Sequence, residues 1–224
     1  PIITDPKPPE TDPGDFPVIE KQNTSYEPRV KVRVKLGNGK ETRIEHSVAT
    51  VFIGPDGKPM TVQEFLNSLY GKLPGLFKNE KELRKIWSNP ITRKILLEKL
   101  SDAGFGKDEL ITLQKIIDAE KSDLFDVLEF IAYAAKPITR EMRVAKAQKD
   151  IFALLDPNQK EFLEFVLNKY IETGVEELDQ EMLPHLLELK YHAISDASEK
   201  LGSFKSIREL FIEFQKHLYL QQTA

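Results

Sequence analysis

"SIRELFIEFQKHL", residues 206–218, decides the fold. Its apolar residues Ile207, Leu210, Phe211, Phe214 and Leu218 recur at i, i+3, i+4, i+7 and i+11. That spacing lines them up as one stripe on a helix of 3.6 residues per turn. Ser206 with Glu209 reads as a capping box, in which two side chains satisfy orphan N–H groups of the first turn. The same signature recurs upstream. Thr61-Val62-Gln63-Glu64 is a capping box ahead of Val62, Phe65, Leu66 and Leu69, with Gly71 as the stop. Asn79 with Glu82 caps a second helix, and Asn89-Pro90 joins a cap to a first-turn proline. Helices are expected over 80–87, 90–103, 107–119 and 123–135. Pro137 breaks the run, and Thr139 caps a helix to about Ala153. Asp156-Pro157-Asn158-Gln159 opens another, with Phe162, Phe165, Val166 and Tyr170 on one stripe and Gly174 beyond its end.

Ahead of the helices, "RVKVRVKL", residues 29–36, alternates strictly between basic and apolar residues, the period-two mark of a half-buried strand. Arg29, Lys31, Arg33 and Lys35 share one face at intervals of about 6.6 Å, twice the strand rise. Gly37-Asn38-Gly39 supplies residues that tolerate positive φ in a tight hairpin turn, and a return strand is expected from about Thr42 to Ile53. Residues 29–53 carry six bases against two acids. Residues 1–28 hold seven of the 14 prolines and six acids against two bases. So polar a stretch, poor in apolar residues, reads as a linker ahead of a folded unit and marks the chain as the tail of a longer protein.

The fold class that follows is mainly α. It is a multi-helix bundle over 61–224, with a seam between two lobes near 136–139, a short β-hairpin and turn over 29–60, and the proline-rich acidic linker at 1–28. With 224 residues and 40% hydrophobic content the chain can bury a sizeable core. The net charge of −4 asks for no polyanionic partner. The absence of cysteine rules out disulfides, thiolate metal sites and cysteine nucleophiles, and fits a reducing cytoplasm. No apolar run reaches the roughly 20 residues that span a bilayer, so no membrane is expected as a partner.

Motif by motif, the chemistry is sparse. Gly37-Asn38-Gly39-Lys40 and Gly104-Phe105-Gly106-Lys107 imitate a phosphate loop, yet Glu41 and Asp108 stand where a hydroxyl must hold magnesium. Asp179, Glu188 and Lys190 have a nuclease-like spacing, but Leu183, Leu186, Leu187 and Tyr191 around them are helical in period, and Asp179 reads better as a cap. His185 and His192 stand seven residues apart, about 10 Å along a helix axis, too far to share one metal ion. The acids Asp118, Glu120, Asp123 and Asp126 sit at a helix junction, where carboxylates favour N-termini. No catalytic, cofactor or metal residue emerges.

The helical part resembles a known family. The segments "GPDGKPMTVQEFLNSLYGKLPGLF" (54–77), "LRKIWSNPITRKILLEKLSDAGFG" (83–106), "AEKSDLFDVL" (119–128), "GVEELD" (174–179), "LLELKY" (186–191) and "IRELFIEFQKHLY" (207–219) follow one another in its order. It is the C-terminal domain of the restriction (R) subunit of type I restriction–modification enzymes, and the likeness covers about residues 30 to 220. It implies a parent protein with an upstream nuclease domain and ATP-hydrolysing DNA-translocating motor domains. ATP and Mg²⁺ would serve those domains and not this one. The helical tail is then expected to be non-catalytic and to dock the motor onto a methyltransferase core of modification and specificity subunits. Lys216, His217 and Tyr219, beside the last stripe, are the expected partner-facing residues. Arg29, Lys31, Arg33 and Lys35 are the candidates for contact with DNA or a partner, or simply a solvated face that protects the edge of the ribbon.

Overall fold

The computed structural model describes residues 29–36, 39, 41–47, 51–54, 56–153 and 155–220; the expected linker at 1–28 lies outside them. The chain opens on an antiparallel hairpin of β1 (Arg29–Lys35) and β2 (Glu41–Ser47), with Lys35 opposite Glu41 and Arg33 opposite Arg43. The long return strand does not form as one piece. It divides into β2 and a two-residue strand β3 (Phe52–Ile53), which pairs instead with β4 (Pro59–Met60). The division has a packing cause. Phe52 turns into the core, where its ring stacks on Phe65 at 4.2 Å. The turn at 54–57 closes through Gly57, at φ +76°, whose amide donates to the Gly54 carbonyl at 2.8 Å.

Among the described residues ten α-helices follow: α1 (Val62–Lys72), α2 (Glu80–Trp87), α3 (Pro90–Asp102), α4 (Lys107–Ile116), α5 (Leu124–Tyr133), α6 (Arg140–Phe152), α7 (Pro157–Thr173), α8 (Leu183–Tyr191), α9 (Ile194–Leu201) and α10 (Phe204–Leu220). Their starts lie where the side chains predict. Thr61 and Glu64 form a full capping box, Asn79 accepts from Glu82 N at 2.9 Å, Asn89 takes Ile91 N, and Asp156 with Gln159 boxes α7. Several boundaries differ from expectation. The helix chain does not stop at Gly71 but runs on through a 3-10 turn at Leu73–Gly75. The cap of α10 is Ser203 rather than Ser206, since the Ser203 hydroxyl takes the Ser206 amide at 3.2 Å.

The end of α4 is also earlier than the pattern suggests, and its geometry explains why. Asp118 takes a left-handed φ of +54°; its amide bonds the Lys115 carbonyl and that of Ala119 bonds Gln114. This is a Schellman stop, made here by an aspartate, one of the few side chains that tolerate that conformation. Gly104 ends α3 the same way and turns Phe105 into the core.

α10 lies between α2 and α6, with α7 beyond α6, so the last helix in sequence is central in space. Its stripe is buried as expected: Ile207, Phe211, Phe214 and Leu218 are at most 3% exposed, with Leu210 half-buried. Buried side chains from before and after residues 136–139 belong to one hydrophobic cluster, and the link itself is tied down where the Ile138 amide donates to Asp126 at 3.2 Å. β2 comes against α4, and Leu36 at the hairpin's tip is buried.

Replacing Phe211 by Ala removes a fully buried ring and should lower the unfolding free energy by about 3–5 kcal/mol. Asp156→Ala, which removes a cap, should cost about 1 kcal/mol. Urea titration of both variants checks the ranking, and a smaller loss for Phe211→Ala than for the cap variant would refute this assignment of the core.

Candidate functional site

The most polar place in the interior is built on α5, whose sequence "LFDVLEFIAY" is apolar but for two acids. Asp123 caps it, and its box partner Asp126 and then Glu129 follow at three-residue steps, on one stripe. All three carboxyls are buried, at 2%, 2% and 6% exposure. Arg143 reaches them from α6, where it occupies the same face as Val144, Ala147 and Ile151. Its Nη2 donates to both oxygens of Asp126 at 2.8 and 2.7 Å, while Nε stands 3.6 Å from Asp123, an ion pair without a hydrogen bond. Tyr170 of α7 and Tyr219 of α10 donate their hydroxyls to the same Asp123 oxygen, at 2.5 and 2.7 Å. The Arg143 guanidinium also lies over the rings of Phe125, at 5.1 Å, and Tyr219, at 4.7 Å.

Arg84 of α2 completes the group. It contacts Glu129 at 2.5 Å and Glu80 at 2.8 Å, and donates to the backbone carbonyl of Tyr219 at 3.1 Å. Three buried carboxyls thus face two guanidiniums, and one carboxyl is left short of a counter-charge. Glu129 is buried beside them. Burial pushes its pKa up to about 7 against the pull of Arg84. Burial likewise raises the Asp123 carboxyl, opposed by Arg143, and raises the Tyr170 and Tyr219 hydroxyls, which Asp123 raises further. Arg143 stays charged: burial works against its charge, but the neighbouring Asp126 and Asp123 more than offset it.

A second polar knot lies nearby. Arg93 of α3 is buried and donates to Asp179 at 2.7 Å, to Gln215 of α10 at 3.2 Å and to the Trp87 carbonyl. Gln215 donates in turn to the Leu178 and Phe211 carbonyls. Asp179 is therefore no side-chain cap, a correction to the sequence reading: its carboxylate is spent on Arg93. Lys190 pairs with Glu161 at 2.7 Å, and Lys107 of the false phosphate loop pairs with Glu176 at 2.6 Å. Among the described residues no three acidic or histidine side chains are grouped to hold a metal ion.

The expected partner-facing residues separate. Tyr219 is not on the surface, as expected, but fully buried, because its hydroxyl reaches Asp123 and its ring packs edge-on to Phe125 at 5.4 Å. Lys216 and His217 are half-buried on α10, and Lys216 pairs with Glu213. Arg29, Lys31, Arg33 and Lys35 take alternate positions of β1, opposite Ser47, Glu45, Arg43 and Glu41. Sequence reading missed Arg143, Arg93 and Glu129. The signal was present: a charge at a stripe position of α6, and an acid every third residue through an otherwise apolar α5.

Folding lifts Glu129 from an ordinary value of 4.5 to about 7. The folded state therefore holds the extra proton between those values. Its contribution to stability is complete below about pH 4.5 and is lost as pH rises to 7. The expected loss is of order 3 kcal/mol at most, and Glu129→Gln should remove it. Urea unfolding at pH 5 and pH 7.5 measures this: the advantage of Glu129→Gln over the native chain should grow with pH, and a constant difference would sink the assignment.

The family described as EcoEI R protein C-terminal matches residues 63–219, from the first turn of α1 to the last turn of α10. The match ends on Tyr219, so nearly the whole helical bundle and all of the buried ion network fall inside it. No curated protein and no solved structure matches the chain. No described helix is long and apolar enough to cross a membrane. With seven-tenths of its length matched, the chain belongs to the EcoEI R protein C-terminal family, and its helical portion is the C-terminal domain of a type I restriction enzyme R subunit.

Proposed function

We propose that this domain is the assembly end of its subunit, a rigid helical bracket that docks an ATP-driven DNA-translocating and DNA-cleaving motor onto a methyltransferase core of modification and specificity subunits. It performs no catalysis of its own. ATP and Mg²⁺ belong to other domains of the parent subunit, which acts as a type I deoxyribonuclease in the cytoplasm. One observation carries the reading: the side chains that could do chemistry are engaged in holding helices together. Asp123 and Asp126 hold Arg143, Asp179 holds Arg93, and Lys190 holds Glu161. What such a scaffold offers a partner is a fixed surface. Purified methyltransferase core should be retained by the immobilised domain at micromolar concentration, and absence of retention there would overturn the docking role.

A second reading gives the β1–β2 hairpin to the DNA backbone. The register that pairs Arg33 with Arg43, two basic residues at one cross-strand position, favours it; the pairing of Lys31 with Glu45 and of Lys35 with Glu41 weakens it. Phosphate contacts of this kind would make binding fall steeply with salt. A mobility-shift series at rising salt, comparing the native chain with the Lys31→Gln, Arg33→Gln, Lys35→Gln variant, separates the two. Weaker and less salt-dependent binding by the variant supports DNA contact, and identical mobility dismisses it.

A further inference from the structure

α3 presents two apolar faces. Leu96 and Leu100 point into the core beside Arg93. Ile91 and Ile95, one turn apart, are 51% and 44% exposed on the opposite side. They border a half-open groove of about 190 Å³ that α3 forms with the 3-10 turn at Gln180–Met182, lined also by Pro90, Glu98 and Gln180. This is below the roughly 300 Å³ of small-molecule pockets, so the groove is scaled to a side chain rather than to a cofactor.

Two polar features define what fits. Arg208 Nη2 donates to the Gln180 side-chain carbonyl oxygen at 2.9 Å, which fixes the amide and leaves the buried Nε2 without a partner. A buried donor in that state costs free energy until an acceptor arrives. Along the rim, Lys94 is paired with Glu181 at 2.9 Å, whereas Glu98 makes no ion pair among the described residues. The rim is short of one positive charge. The chain's own segment 1–28, with six acids against two bases, has the wrong sign to fill it.

We propose that this face of α3 and its groove seat an amphipathic segment of the partner, whose apolar ridge covers Ile91 and Ile95 and whose flanking Lys or Arg faces Glu98. The inference rests on the docking role and names the surface that performs it. The segment supplies an apolar side chain to the groove.

Retention of the methyltransferase core is compared for the native chain, Ile91→Asp/Ile95→Asp, Glu98→Lys, and Leu189→Asp, the last an exposed apolar position on α8 (50% exposed). The fold is checked by circular dichroism and by fluorescence of the single, buried Trp87. The double variant should bind about tenfold or more weakly. Glu98→Lys should weaken binding several-fold at low salt, the loss shrinking as salt screens it, and Leu189→Asp should bind as the native chain does. Native binding unchanged in both α3 variants overturns this face while leaving docking intact. No binding by the native chain overturns docking, and this inference with it. Should the double variant fail to fold, Glu98→Lys, a surface change, decides.

Discussion

Arg143 is the residue around which the last helix is seated. Its guanidinium is fully buried, hydrogen-bonded to Asp126, paired with Asp123, and covered by the rings of Phe125 and Tyr219. It also donates to the Leu218 carbonyl, in the last turn of α10, while Arg84 takes the carbonyl of Tyr219 one residue on. Those are carbonyls for which a helix has no donor of its own. Two arginines, from α2 and α6, thus perform the C-capping of α10 and set their positive charge at the negative end of its dipole. Hydrophobic burial would hold α10 somewhere in the groove between α2 and α6. These bonds hold it in one register, because a slip of one residue would part both carbonyls and the Tyr219 hydroxyl from their donors and acceptor.

An ion network of this kind is a poor source of stability and a good source of uniqueness. Burying two charges costs several kcal/mol of desolvation each, and their attraction roughly offsets that. The structure shows the strain in the balance: three carboxyls face two guanidiniums, and burial pushes both Glu129 and Asp123 toward their neutral forms. What the network adds is an arrangement satisfied only when α2, α5, α6, α7 and α10 are all in place. The Tyr170 and Tyr219 hydroxyls converge on a single oxygen of Asp123, so two helices distant in sequence are referred to one atom. For a bundle whose helices meet in one arrangement, that referral matters more than a few kcal/mol.

The helices were legible in the sequence because their starts are written in single side chains. Thr61, Asn79, Asn89, Thr139 and Asp156 each name a cap, and each caps. Two kinds of feature were not legible. Tyr219 falls beside the apolar stripe of α10 and so reads as surface; only the arrival of Asp123 from α5 makes that position interior. Period counting assigns burial by the helix's own geometry and cannot see a polar partner brought by another element. The long return strand failed for a related reason. Residues 42–53 alternate plausibly, but Phe52 belongs to the aromatic cluster of Phe65 and Phe105, and its ring position outweighs continuation of the ribbon.

The same network bears on recognition. A domain with 30% charged residues ordinarily presents many of them for use. Here the arginines of the helical core are turned inward: Arg93 and Arg143 are 1% exposed and Arg84 is largely covered. Arginine is the residue best suited to bidentate contact with phosphate, so turning these three inward leaves the bundle fewer means of gripping a nucleic-acid backbone, with Arg208 still exposed. The exposed cations are mostly lysines; among them Lys94 and Lys107 are paired with acids of this chain, as are the half-buried Lys169 and Lys216. Set against that, the bundle exposes aliphatic side chains such as Ile91, Ile95, Met142 and Leu189. A protein partner recognises shape and apolar area, whereas a polyanion demands free positive charge, so paired cations and exposed aliphatic side chains serve different kinds of contact.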